Sequence, residues 1–149
     1  MRSVVQRVRC AAVRVDDRIV GEIDAGLLVL LGVFEGDDEA AARRIARKLV
    51  NLRIFADDRG RMNRSVLDVG GSILLVSQFT LCADTRQGNR PSFVNAARPE
   101  VAEPLVNRTA DLLREHGVTV ATGEFGASML VSLENDGPVT IVLDEAAGG

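Results

Sequence analysis

The hardest constraint in this chain is the stretch Gly70-Gly71-Ser72-Ile73-Leu74-Leu75-Val76-Ser77-Gln78-Phe79-Thr80-Leu81. Ile73 to Val76 is a continuous apolar run, the pattern of a strand buried on both faces. The run passes without a break into Ser77, Gln78 and Thr80. Polar side chains at the end of a buried strand must find partners, at a cost of roughly 1–3 kcal/mol each if they do not. Either the strand leaves the core for solvent there, or its rigid end presents donors and acceptors to a substrate.

The rest of the chain arranges itself around that strand. Residues 3–15 alternate loosely and read as a first strand. Asp16-Asp17 is a turn, and Ile19-Val20-Gly21-Glu22-Ile23 returns as a hairpin partner. Residues 26–33 form a second run apolar on both faces, hence a central strand. Gly36-Asp37-Asp38 opens a helix, with acids near its positive end. Ala42, Ile45, Ala46, Leu49 and Leu52 make its apolar stripe. Asp57-Asp58-Arg59-Gly60 is a turn at the tip of a hairpin, and residues 61–69 form an irregular segment leading into the central strand. Residues 82–98 form a long loop, a length that often signals function. A second helix starts near Pro99 and ends at Gly117, with a kink or later start expected at Pro104. Three strands follow: residues 118–122, 128–133 and 139–143.

The expectation is a single α/β domain over residues 1–149. Its order is β-β-β-α-β-α-β-β-β: mixed sheets in β/β/α layers, two helices on one face, and a frayed tail at 144–149. The length suits one domain, and 46% hydrophobic residues supply a core. That core is aliphatic, since there are five Phe and no Trp or Tyr. No apolar run is long enough to span a membrane, and the first residues read as a strand and not as a signal peptide. A soluble cytoplasmic protein is expected.

Composition also narrows the chemistry. Cys10 and Cys82 are isolated and His116 is the sole histidine. That argues against a structural zinc site or a disulfide framework, and against a His-dependent hydrolase. His116 precedes Gly117 and reads as a helix-end residue. The net charge of −3 does not draw nucleic acid to the molecule as a whole. A nucleic-acid partner would need a local patch, and Arg86, Arg90 and Arg98 in the long loop are the candidate. A solvated loop is the alternative. Asn135-Asp136-Gly137-Pro138 has two readings. One is a hairpin turn. The other is a special Gly–Pro peptide, able to go cis at small cost and to present bare carbonyls to a ligand.

Taken together, Ser77-Gln78-Phe79-Thr80-Leu81 and Asn135-Asp136-Gly137-Pro138-Val139-Thr140 resemble the D-aminoacyl-tRNA deacylase family. Gln6-Arg7-Val8, residues 26–32, Met62-Asn63, Arg90-Pro91-Ser92-Phe93 and Gly123-x-Phe125-Gly126-x-x-Met129 fit in order and spacing. The likeness covers residues 1–143; Pro104 and the glycine-ended tail are minor departures.

The resemblance implies a cytoplasmic homodimer without a cofactor or a metal. It would hydrolyse the ester between a D-amino acid and the terminal adenosine of tRNA, and glycyl-tRNA(Ala). Gly137–Pro138 would be cis and would reach into the partner's pocket, its carbonyls excluding an L side chain. Arg7 would support that motif across the interface. Phe125 and Met129 would line an adenine pocket, and Ser77 and Gln78 would hold the aminoacyl end. Thr80 is the candidate nucleophile, yet no base stands beside it in sequence, and an unactivated hydroxyl is weak. The other route uses the 2′-hydroxyl of the substrate, already positioned beside the ester; the resemblance favours it. Rival expectations are an editing relative with relaxed chirality and a non-catalytic tRNA-binding module.

Overall fold

The computed structural model describes residues 1–145. Strand β1 (Arg2–Val15) turns through Asp16 and Asp17, both at positive φ, into β2 (Arg18–Ile23). Both central residues of this two-residue turn are left-handed, as the twist of a tight hairpin requires. Strand β3 (Gly26–Gly32) follows, then helix α1 (Glu39–Asn51), the short strands β4 (Phe55–Ala56) and β5 (Met62–Arg64), and β6 (Ser72–Ser77). Helix α2 (Pro99–Glu115) leads to β7 (Thr119–Thr122) and β8 (Leu130–Asp144).

One six-stranded mixed sheet carries the fold, in the order β2-β1-β3-β6-β7, with β8 also paired to β1. β3, β6 and β7 run parallel, joined by helical crossovers. β1 is antiparallel to β2, β3 and β8. As the two apolar runs require, β3 and β6 are central and buried on both faces. The helices cover one face: Val5, Leu27, Leu75, Ile45, Leu49 and Leu113 share one core there. A second core on the other face includes Val8, Val13, Leu28, Leu74 and Val76.

The expected second sheet layer is the same sheet curling back on itself. β2 comes so close to β7 that a Cβ on Gly21 would lie 2.2 Å from the Thr122 carbonyl oxygen. Glycine is the residue that allows this approach, and it nearly closes the sheet into a barrel.

Three local expectations are corrected. The segment after α1 is not wholly irregular, because β5 pairs with β4 around the Asp57–Gly60 turn. Asp38, the last of the three residues expected to open α1, caps it by accepting from the Ala41 N–H (2.9 Å). Helix α2 does not start late: it runs from Pro99 through Pro104. Pro104 is exposed, so the carbonyl it leaves without a donor faces water. The last two expected strands are one strand, because residues 136–139 bulge out of β8 without reversing it. In the expected tail, Asp144 accepts from Arg2 (2.7 Å) and the Glu145 N–H donates to the Met1 carbonyl (2.8 Å). The remaining tail, residues 146–149, lies outside the described residues.

Candidate active site

β6 ends at Ser77, at the edge of the core. The Gln78 N–H still donates to the Leu31 carbonyl (2.8 Å), which pins the chain to β3 for one more residue. The backbone then enters a single 3-10 turn over Phe79–Cys82. The polar side chains partly satisfy each other, since the Gln78 side-chain amide donates to the Thr80 hydroxyl. Arg2 anchors the turn from outside. Its guanidinium donates to the Leu81 carbonyl (3.0 Å) and to Asp144 (2.7 Å), and lies 5.3 Å from the Phe34 ring centroid.

A cavity of about 560 Å³ opens at this strand end, between the first half of α2 and residues 125–131. Its size fits a small-molecule or nucleoside site. Ser77, Gln78, Phe125 and Met129 line it together. Thr80 is exposed on the adjoining turn and is not among the lining residues. Among the described residues, Ser77 and Gln78 are the only polar side chains in the lining, which contains no Asp, Glu, His, Lys, Arg or Cys.

The thiols are elsewhere. Burial pushes the Cys82 thiol up. A hydrogen bond to Glu134 (3.4 Å) does the same for exposed Cys10. His116 is the C-cap residue of α2, where its place before Gly117 put it.

Gly123 explains how Met129 reaches the cavity wall. A Cβ at Gly123 would stand 2.7 Å from the Met129 sulfur, so glycine there leaves room for the thioether.

Gly137 and Pro138 lie outside this cavity in their own chain and are exposed. Gln6 pairs with Thr140 and Val8 with Asn135, so Arg7 alone faces the four residues between. The Gly137–Pro138 peptide is cis. Two side chains brace the bulge. Asn135 accepts from the Val139 N–H (2.8 Å) and donates to the Thr140 hydroxyl (3.1 Å). Arg7 donates to the Asp136 carbonyl (2.8 Å) and to the Ile54 carbonyl (2.6 Å). Arg7 therefore holds the motif within one chain.

The long loop is pinned twice. Asp84 and Ser92 exchange backbone hydrogen bonds of 2.8 and 2.9 Å, and Ala97 bonds Val33 at 2.9 Å. Residues 85–91 thus form a finger. Arg86 is clasped by Asp84 through bonds of 2.9 and 2.6 Å, and the guanidinium holds the Asp84 carboxyl down at about 2. Arg90 is exposed on the same finger.

Sequence reasoning missed Arg2, which carries no local signal. It also missed the bracing by Asn135, although Asn is prone to bond nearby backbone.

Comparison with known proteins places the chain in a family. The family model for D-Tyr-tRNA(Tyr) deacylase matches residues 4–144. A D-aminoacyl-tRNA deacylase of Roseiflexus sp. (strain RS-1) is 63% identical over 146 residues, spanning 98% of this chain and 94% of the relative. One of Syntrophomonas wolfei is 57% identical over 144 residues, 97% of each chain. A solved structure described as a c-Myc DNA unwinding element binding protein superposes with a TM-score of 0.93 at 40% identity, covering 99% of this chain and 100% of that one. Strand order, cavity and motif set thus sit on a match spanning nearly all of the sequence, and the chain belongs to the D-Tyr-tRNA(Tyr) deacylase family.

Proposed function

We propose that this chain is an aminoacyl-tRNA editing hydrolase, cleaving the ester of D-aminoacyl-tRNA to free tRNA and D-amino acid, and accepting glycyl-tRNA(Ala). The observation that carries the mechanism is the cavity lining, with Ser77 and Gln78 as its only polar side chains among the described residues. A pocket without an acid or base suits a reaction in which the substrate supplies the assisting group. The 2′-hydroxyl beside the ester assists attack by water on the carbonyl carbon. The new bond is to the water oxygen; the ester C–O bond breaks, and the 3′-oxygen leaves with a proton. Ser77, Gln78 and nearby backbone N–H groups hold the carbonyl and stabilise its developing negative charge. Phe125 and Met129 receive the adenine, as stacking on a ring or thioether allows. Thr80 supports Gln78 and forms no covalent bond.

Selection is by exclusion. Gly137 and Pro138 are exposed and stand outside their own cavity. Along β8, Val131 and Gly137 are six residues apart, roughly 20 Å of strand. That separation supports a reading in which the motif enters the pocket of a second copy, with a homodimer as the working unit. Its carbonyls fill the space of an L side chain, while D residues and glycine pass. Rejection by clash leaves the accepted side chain unread. The enzyme acts in the cytoplasm, where charged tRNA is used.

Release of D-tyrosine from D-tyrosyl-tRNA under single-turnover conditions tests this function. Rapid release is expected, with a loss of several orders of magnitude when the terminal ribose lacks the 2′-hydroxyl. Binding without release would instead describe a tRNA-binding module.

A further inference from the structure

We propose that Phe79 and Phe93 form a second base platform, on which the nucleotide preceding the terminal adenosine of the substrate stacks. This inference rests on the deacylase function above.

Aromatic residues are scarce here: five Phe, no Trp and no Tyr. Three of the five, Phe79, Phe93 and Phe125, line the same cavity, which makes that surface a concentration of ring faces. The three do different things. Phe125 is half-buried and packs against the core between sheet and helices. Phe79 and Phe93 are 57% and 38% exposed and meet edge to face, with centroids 5.1 Å apart and planes at 68°. Ring surface left in water in this way is available to a planar partner.

The pair is also held in place. Phe79 opens the 3-10 turn that Arg2 anchors through the Leu81 carbonyl. Phe93 follows the Asp84–Ser92 bridge, and its own carbonyl accepts from the Ala96 N–H (3.0 Å). Anchored backbone on both sides limits what binding must order. Exposed Arg90 is three residues before Phe93. Aromatic faces are a usual means of gripping a single strand without reading its sequence, and a basic side chain on the adjoining finger can meet its backbone. With the adenosine inside the cavity, the strand must leave through its mouth, and the next base meets these rings.

The test compares two D-tyrosyl esters, one on full tRNA and one on adenosine alone. A stacked base is worth about 1–3 kcal/mol, or roughly 5- to 150-fold. Phe93→Leu should lower kcat/KM on D-tyrosyl-tRNA at least about fivefold by this measure. The loss on D-tyrosyl-adenosine should be clearly smaller, because Phe93 meets that ester only as one wall of the cavity, and Phe93→Tyr should restore the tRNA rate. Equal losses on both esters would place the ring on the aminoacyl-adenosine and overturn the platform. No loss on either would overturn it too. So would a Phe93→Leu protein that sediments with a changed mass, because the rings would then be a subunit contact. If the wild-type protein cleaves neither ester, the deacylase function itself fails, and the platform with it.

Discussion

The Asn135 side chain grips Val139 from both sides: its carbonyl oxygen accepts the Val139 N–H at 2.8 Å, and its nitrogen donates to the Val139 carbonyl at 3.3 Å. That ring of bonds takes Asp136, Gly137 and Pro138 out of the β1–β8 ladder and fixes the base of the bulge. Val139 is buried, so Asn135→Ala leaves a buried donor unpaired, at about 1–3 kcal/mol. The expected outcome is a lower melting temperature and a raised ratio of L- to D-tyrosyl-tRNA hydrolysis. An unchanged ratio in the folded variant would detach the bulge from chiral selection.

Gly123→Ala should act through Met129. The added methyl would lie 2.7 Å from the sulfur, and a flexible thioether can move where backbone could not. The chain should fold, with Met129 driven into the cavity. Overpacking of this kind costs about 1–3 kcal/mol, and the loss should appear in KM for D-tyrosyl-tRNA more than in kcat. Steady-state kinetics on Gly123→Ala and on the double variant with Met129→Ala separates the two, since the second change should recover KM in part.

Thr80→Ala should turn over at close to the wild-type rate, because the hydroxyl is exposed beside the cavity and receives its hydrogen bond from Gln78. Single-turnover rates check this. A loss of several orders of magnitude with the fold intact would make Thr80 the nucleophile.

Arg86 and Arg90 share one finger and should contribute unequally to tRNA binding. Asp84 already neutralises Arg86, and its carboxyl is held at about 2 by that partner. A lowered carboxyl pKa means that the clasp stabilises the finger fully above the ordinary Asp value of about 3.9. That stabilisation is lost only as pH falls toward 2. Arg90→Gln should reduce the slope of log affinity against log salt by about 0.7–0.9, and Arg86→Gln by less. Titrating the Asp84 carboxyl by NMR in the wild type and in Arg86→Gln checks the clasp: its midpoint should rise in the variant.

Local pattern carried far in this chain. The runs at residues 26–33 and 73–76 announced buried central strands, and β3 and β6 are those strands. Pro99 and Gly117 bracket α2 as their backbone preferences dictate. Long-range relations were not legible. Nothing around Gly21 says that it passes under the Thr122 carbonyl, and nothing near Arg2 says that it holds Leu81, 79 positions away. Residues 135–138 misled for a physical reason. Asn, Asp, Gly and Pro favour a turn on their own, and here β1 keeps the flanking strand straight by pairing on both sides of the bulge. The separation of Gly137–Pro138 from its own cavity is likewise a matter of tertiary placement, which motif spacing does not encode.

The measurement that bears most directly on the account is hydrolysis of matched D-tyrosyl-tRNA and L-tyrosyl-tRNA by the purified protein, with EDTA present. Rapid release from the D ester with the L ester intact is the predicted result. Comparable cleavage of both would contradict selection by the Gly137–Pro138 carbonyls, and cleavage of neither would contradict the deacylase function.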